Sequence, residues 1–251
     1  MHDANARPLI SAHRGGRHEA PENTVAAFAR AAELGFRGAE CDVHLSADDI
    51  AVVIHDDTVD RTTNGSGEVH TFTAAELGEL DARATFPDWP ARPGVPTFAD
   101  TLQIFRSVDY VEVEVKSDAP ERIAELVPQL ISDIDDAGVR NIIKFISFDP
   151  DNLRVCHELA PDIPIALLGD FGAPAEVQTA IDLKCASIAG DVDHLTREVV
   201  DVAHEAGLDV TCWTVNTAEE FANMVEWGVD IVTTDRPTLL RSLLEDSKAA
   251  Q

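Results

Sequence analysis

The sequence predicts an α/β fold of one kind: a closed TIM-type (β/α)8 barrel with a small insertion between its second and third barrel strands. Three observations predict it. Eight short β-like runs alternate with helical stretches, and each run is followed by a helix. The length, 251 residues, matches the roughly 250 typical of a single barrel of this kind. All connections but one are short, and no Gly/Pro/Ser-rich linker or low-complexity tract divides the chain. The whole of 1–251 therefore reads as one barrel domain, with 56–109 as an insertion within it.

The elements follow in order. Leu9-Ile10-Ser11-Ala12-His13 is the first strand. A helix over 22–34 is opened by Pro21 and stopped by Gly35. Strand 38–45 is joined by the turn Ala47-Asp48-Asp49 to a companion strand at 50–55. The long connection carries the turn-rich Thr62-Thr63-Asn64-Gly65-Ser66-Gly67, a short helix near 74–80, Pro-rich loops and a helix near 98–105. The third barrel strand, 111–116, alternates strictly between valine and charge. A helix over 123–137 ends at Gly138, and strands follow at 142–147, 163–168, 186–189, 210–215 and 231–234. Helices at 151–159, 175–183, 196–206, 218–227 and 238–244 separate and close them.

Charge narrows the function classes. Forty-six acids against nineteen bases give −27, and only four of the bases are lysines, at 116, 144, 184 and 248. Nucleic acid and anionic membrane both require a basic face, so neither is an expected partner, and no stable membrane association is expected. The acids are dispersed, which argues against a disordered tail and points to an acidic surface adapted to high salt, the alternative being an ordinary acidic cytoplasmic protein. The apolar fraction is an ordinary 45%, and no apolar run approaches the 18 or so residues of a membrane span. The opening residues MHDANARPLI contain no apolar stretch of leader length, so a cytoplasmic location is expected. Four cysteines at 41, 156, 185 and 212 form no CxxC pair, and three lie in apolar contexts typical of buried thiols.

In such a barrel chemistry sits at the C-terminal ends of the strands. The first strand ends in His13-Arg14-Gly15-Gly16: an imidazole for proton transfer, a planar cation suited to phosphate, and glycines that permit close approach. On the second strand Glu40, Asp42 and His44 share one face by period-two alternation. Acids facing a barrel interior repel one another unless protonated or bridged by a hard divalent cation, Mg²⁺ or Ca²⁺; the same pattern also fits a solvated edge strand with its acids outward. On the third strand Glu112, Glu114 and Lys116 share the face opposite three valines, so two strands separately aim carboxylates at one place and Lys116 adds a cation for a phosphate. His55 follows Ala51-Val52-Val53-Ile54 and supplies a second imidazole; two histidines beside a metal and an arginine provide acid and base for phosphoryl transfer. His44 is ambiguous, sharing the acidic face near the strand's edge, and His2, His18, His70, His157, His194 and His204 read as surface groups.

These residues resemble the glycerophosphodiester phosphodiesterase family. The resemblance rests on His13-Arg14-Gly15, Pro21-Glu22-Asn23-Thr24, Glu40-Cys41-Asp42-Val43, His55-Asp56, Arg61-Thr62-Thr63-Asn64-Gly65, Glu114-Val115-Lys116, Trp213-Thr214-Val215-Asn216, Gly228-Val229-Asp230 and Thr234-Asp235-Arg236-Pro237, and spans about residues 9–240. It implies a barrel with an insertion after the second strand and a divalent metal. The implied reaction is hydrolysis of small-molecule glycerophosphodiesters to glycerol 3-phosphate and an alcohol. By position it implies His13 and His55 as the acid/base pair, Glu40, Asp42 and Glu114 as metal ligands, and Arg14 and Lys116 as phosphate contacts. Trp213 would line the pocket over glycerol or leaving group, or else serve as a barrel-layer aromatic. The chain departs from the family where Asp49 replaces a usual glycine and Glu112 a frequent asparagine. Either water or the substrate's own glycerol 2-hydroxyl, through a cyclic phosphate, fits as nucleophile.

Two other functions are compatible with the same residues. A phospholipase D- or C-like enzyme would need an apolar lip, for which Phe72, Phe86 and Trp89 are candidates unless they form the insertion's own core. A non-catalytic phosphate binder would have lost a histidine or a metal carboxylate, and none is lost. Headgroup preference and oligomeric state leave no trace in the sequence.

Overall fold

The computed structural model describes residues 7–249. Residues 1–6 of the stretch read above for a leader, His2 among them, lie outside the described residues, as does the side chain of Lys248.

Eight parallel strands close into a barrel. They are β1 (Leu9–His13), β2 (Gly38–Leu45), β4 (Tyr110–Val115), β5 (Ile143–Ser147), β6 (Ile165–Gly169), β7 (Ser187–Asp191), β8 (Asp209–Trp213) and β9 (Ile231–Thr234). Closure comes from β1, which pairs with both β2 and β9. The remaining strand, β3 (Ala51–Val53), pairs antiparallel on β2, through Val43 with Val53 and Leu45 with Ala51. Asp49, in the turn between them, takes the left-handed conformation at φ 57, which aspartate tolerates better than most residues.

Helices α1 (Val25–Glu33), α3 (Phe98–Phe105), α4 (Pro120–Ala137), α5 (Pro150–Leu159), α6 (Val177–Asp182), α7 (Arg197–Glu205) and α8 (Ala218–Trp227) lie between successive barrel strands, and α9 (Pro237–Ala249) follows the last. Their boundaries follow local chemistry. Thr24 caps α1 by accepting from the Ala27 amide, and Asn23 before it is left-handed at φ 54, so the helix starts later than the 22–34 expected. Strand β6 begins at Ile165 rather than 163 because Pro164 has no amide to give the ladder.

The main core fills the space between barrel and helices. The outward residues of the strands, among them Cys41, Val43, Val111, Val113, Val115, Phe145, Ile188, Val210 and Val232, pack there under α-helical side chains. All four cysteines are buried and unpaired, one more than the sequence context indicated. Between β3 and α3 the chain builds a smaller cluster of Val52, Ile54, Val59, Val69, Leu77 and Val95, with Phe72 packed against it and α2 (Ala74–Glu79) at its edge. Phe86 and Trp89 meet edge to face at 6.5 Å in the same segment.

Alternation then puts the other residues of each strand inside the barrel, and the interior is divided. On one side Ile146, Ala166, Leu168 and Ala189 form an apolar wall with Trp213. On the other side stand His13, Glu40, Asp42, Glu112 and Glu114, all buried.

Candidate active site

The cavity at the C-terminal ends of the strands has a volume of about 340 Å³. His13, Arg14, Glu40, His55, Glu114 and Trp213 all line it, so six of the eight expected site residues share one cavity. The other two, Asp42 and Lys116, are tied to that lining by direct contacts.

Glu40, Asp42 and Glu114 each offer a carboxylate oxygen within 4.8 Å of the others. The register explains the convergence: Asp42 on β2 stands opposite Glu114 on β4, one pleat above the pair Glu40 and Glu112. The edge-strand alternative is thereby excluded, since β2 is buried along its whole length. Burial, with the neighbouring Asp42 charge, pushes the Glu40 carboxyl well above its ordinary value. The same two causes raise Glu114 to about 7, against the pull of Lys116. Asp42 goes the other way: burial opposes its ionisation, but Arg14 and Lys116 hold it well below the usual range.

Lys116 Nζ lies 2.9 Å from Asp42 Oδ1 and 2.7 Å from Glu114 Oε1. It stands among the carboxylates, where the expected phosphate contact requires those oxygens to find another cation. Asp42 Oδ1 is buried without an aligned hydrogen-bond donor. Three hard oxygen donors, brought together by the register with Arg14 and Lys116 as the cations beside them, fit a divalent cation of the Mg²⁺ or Ca²⁺ type.

Arg14 is left-handed at φ 52, an uncommon conformation for a non-glycine residue. Its amide donates to Glu40 Oε2 at 3.0 Å, while Nη1 donates to Glu22 at 3.0 Å and Nε lies 3.2 Å from Asp42. Gly15 beside it, at φ 80, has no room for a side chain, since a Cβ would stand 2.7 Å from that of Ala27. Asn23 donates to Asp42 Oδ2 at 2.7 Å, and Glu22 also receives Arg61 at 2.7 Å.

Each histidine has its own carboxylate. His13 Nδ1 donates to Asp235 Oδ1 at 2.6 Å, which leaves Nε2 free, 3.8 Å from Glu40 Oε2. Burial and the Arg14 charge lower the His13 pKa to about 4, against the opposing pull of Asp235. Asp235 is fully buried; desolvation raises it, but His13 and Arg17 hold it below the usual carboxylate range. Asn216 donates to its second oxygen at 2.9 Å. His55 Nδ1 donates to Asp56 Oδ1 at 2.7 Å, and burial lowers its pKa. His44 lies outside this constellation, its Nε2 donating to the His55 carbonyl at 3.1 Å and so fixing the segment that carries His55.

Trp213 occupies both positions considered for it, at the cavity lining and in the barrel layer. It packs on the apolar wall and lines the cavity, with its indole donating to the Ala189 carbonyl at 3.0 Å and Phe148 edge to face at 5.6 Å. Phe148 is half exposed at the rim. Its neighbour bond, Trp213–Thr214, is cis.

The sequence reading assigned no role to Asp235, Asn216, Glu22, Asn23 or Arg61, although all five stand in the motifs it singled out. An acid directly after an apolar strand that closes the barrel was the available signal for Asp235. His204, expected at the surface, is only 17% exposed and lies 3.0 Å from Asp230.

Residues 13–239 match the glycerophosphoryl diester phosphodiesterase family. A glycerophosphodiester phosphodiesterase of Caldanaerobacter subterraneus subsp. tengcongensis is 35% identical over 239 residues, covering 95% of this chain and 98% of that one. Another from Bacillus altitudinis is 30% identical over 248 residues, covering 95% and 99%. Among solved structures, an Oleispira antarctica phosphodiesterase in complex with the product sn-glycerol-3-phosphate superposes with a TM-score of 0.88, at 26% identity over 95% of this chain and 97% of that one.

Proposed function

The chain belongs to the glycerophosphoryl diester phosphodiesterase family and hydrolyses glycerophosphodiesters to glycerol 3-phosphate and an alcohol, and from that premise we propose how its own residues carry the reaction. The observation that carries the proposal is the meeting of two carboxylate-anchored imidazoles and three metal-competent carboxylates on one cavity.

Glu40, Asp42 and Glu114 hold the divalent cation, Mg²⁺ or Ca²⁺. When bound, it offsets the charge of the phosphodiester and of the transition state. Arg14 contributes a fixed guanidinium on the same side, and Lys116, released from its carboxylates, completes the phosphate contacts. His13 and His55 are the acid/base pair. Asp235 fixes His13 with its proton on Nδ1, so Nε2 presents a lone pair to the cavity; a lowered pKa keeps it neutral and basic at pH 7. One imidazole takes the proton of the nucleophile, water or the glycerol 2-hydroxyl. The other protonates the leaving oxygen as the P–O bond breaks, so protons balance over the turnover. The apolar wall and Trp213 exclude water from the opposite side.

The same reading places the protein in the cytoplasm, supported by four buried thiols that form no disulfide. Among the described residues no helix is long and apolar enough to cross a membrane. Of the three aromatics considered for an apolar lip, Phe72 packs against the small cluster beside β3, and Phe86 and Trp89 pack on each other.

The test is release of glycerol 3-phosphate from diesters of several headgroups, with and without a chelator. Metal-dependent release is expected; no release with any headgroup and any divalent metal would overturn the proposal.

A further inference from the structure

A second cavity, of about 770 Å³, lies beside the catalytic one of about 340 Å³. The loop after β1, the insertion and the start of α9 enclose it. Arg17, Arg61 and Arg236 line it, with Phe86 and Leu239 as its apolar part. Arg17 lines both cavities. Its Nε lies 2.8 Å from Asp235 Oδ1, the same oxygen that receives His13 Nδ1. Glu22 is a second link, accepting from Arg14 of the catalytic cavity and from Arg61 of its neighbour. Two carboxylates thus stand between the cavities, and each is shared across the wall.

Three guanidinium groups in one hollow depart sharply from a chain of net charge −27. The acids of the lining are already engaged. Glu22 is held as described, and Glu19 accepts from Arg30 at 3.1 Å and from the Thr238 amide and hydroxyl at 3.0 and 2.6 Å. Arg61 is engaged too, since all its nitrogens donate to Glu22 or Asp56. Arg17 and Arg236 differ from it. Arg236 is exposed, and its Nε donates to His18 Nδ1 at 3.3 Å. His18 Nε2 in turn lies 3.7 Å from Asp235 Oδ2, so both arginines are placed through the one aspartate. Among the described residues the terminal nitrogens of Arg17 and Arg236 have no hydrogen-bond acceptor, and no carboxylate pairs with Arg236. Each guanidinium keeps the paired, planar donors that match two oxygens of a phosphate.

We propose that this cavity is an anion subsite in which Arg17 and Arg236 hold a phosphate group borne by the leaving alcohol, so that diesters of phosphorylated alcohols are favoured. The proposal rests on the hydrolase reading above and adds a second site beside the one already described. The acidic surface repels a polyanionic substrate, and a local basic hollow at the active site offsets that repulsion where it matters. Arg17, in the wall common to both cavities, sets the path from one to the other. A diester held at Glu40, Asp42 and Glu114 reaches the second cavity through its alcohol, whose carbons meet Phe86 and Leu239. Free phosphate offers the same oxygens, but a phosphate tethered to a bound substrate arrives at a far higher effective concentration.

The experiment compares wild type, Arg236→Gln, Arg236→Lys and Arg17→Gln on two diesters at fixed free Mg²⁺. These are glycerophosphoinositol and glycerophosphoinositol 4-phosphate, which differ only by one phosphate on the alcohol. Wild type should show a kcat/KM about tenfold or more higher for the phosphorylated diester, the effect of charge-assisted hydrogen bonds to that group. Because Arg236 is exposed, Arg236→Gln should raise KM for the phosphorylated diester by only about fivefold to tenfold, and should leave turnover of the other diester within about twofold. Arg236→Lys keeps the charge and should recover part of the lost KM. In Arg17→Gln the preference between the two diesters should fall as well, whatever happens to the rate common to both. Titration with inorganic phosphate separates a tethered anion from a free one: it should inhibit wild type and Arg236→Gln alike on the unphosphorylated diester. A phosphate effect that Arg236→Gln abolishes, together with equal kcat/KM on both diesters, would assign the cavity to a free anion and overturn the proposal. A wild type indifferent to the added phosphate, or a preference that survives in Arg236→Gln, would overturn it too. Failure of the hydrolase reading looks different, because wild type then cleaves neither diester.

Discussion

His13 Nδ1 and Asp235 Oδ1 stand 2.6 Å apart in a buried contact that joins positions 222 residues apart in the chain. The strand that ends in His13 is the first of the barrel, and Asp235 follows directly after the last. Their pairing therefore both ties the ends of the barrel together and sets which imidazole nitrogen faces the cavity. Exchanging Asp235 for Asn should preserve the packing but release the tautomer. In Asp235→Asn we expect kcat to fall by about 10²–10⁴ with KM little changed. Steady-state kinetics on a glycerophosphodiester checks this, and an unaltered kcat would remove Asp235 from the catalytic apparatus.

The same aspartate shapes acid stability. Its folded pKa is depressed below the ordinary 3.8, despite burial, by His13 and Arg17. A depressed carboxylate contributes stability that is complete above the unfolded value, and that contribution is lost as pH falls through the folded one. The stability gap between wild type and Asp235→Asn should accordingly be constant from pH 7 to about 5 and shrink below about 4. Urea unfolding at each pH measures it; a gap that widens on acidification contradicts the assignment.

His13→Ala and His55→Ala should each lower kcat by about 10²–10⁴ while leaving the far-ultraviolet circular dichroism unchanged. Either mutant turning over at a near-normal rate shows that its imidazole is a bystander.

Each of Glu40→Gln, Asp42→Asn and Glu114→Gln removes a charged oxygen from one cluster, and each should weaken divalent-ion binding. Isothermal titration with Mg²⁺ and Ca²⁺ reads the effect. Unchanged affinity in all three variants would make the cluster structural.

The net charge of −27 should leave the fold salt-dependent. Screening length falls from about 30 Å at 0.01 M to about 3 Å at 1 M, so repulsion among dispersed surface acids is relieved. Melting temperature should rise steeply with KCl over this range and beyond, to about 3 M, whereas turnover of the folded, metal-saturated protein should change less. A flat melting curve would show that the acids only solubilise the surface.

What could be read from sequence follows a physical pattern. Glu40, Asp42 and Glu114 were legible because a strand's period of two is visible in a handful of letters, and an acid every second residue inside a barrel demands an explanation. His13 and His55 were legible because they end apolar runs. Asp235 was not, because its role exists only through a partner at the other end of the chain, and no local pattern encodes that distance. Lys116 was half legible: its inward direction follows from alternation, but its engagement by Asp42 and Glu114 depends on the register between β2 and β4. The surroundings of Glu112, to which Thr211 and Thr233 donate, needed three strands, β4, β8 and β9, brought together.

The clasp between first and last barrel strands also governs when activity can arise during synthesis. By the time residue 114 has left the ribosome, the nascent chain already carries both imidazoles and all three metal-competent carboxylates. None of them can yet form a working centre, because β1 still lacks its second neighbour, β9, and His13 lacks the acid that orients it. Translation must run past Asp235 before the ring closes, so chains that stop short of it should hydrolyse no glycerophosphodiester, which an assay of glycerol 3-phosphate release by a chain ending before β9 checks.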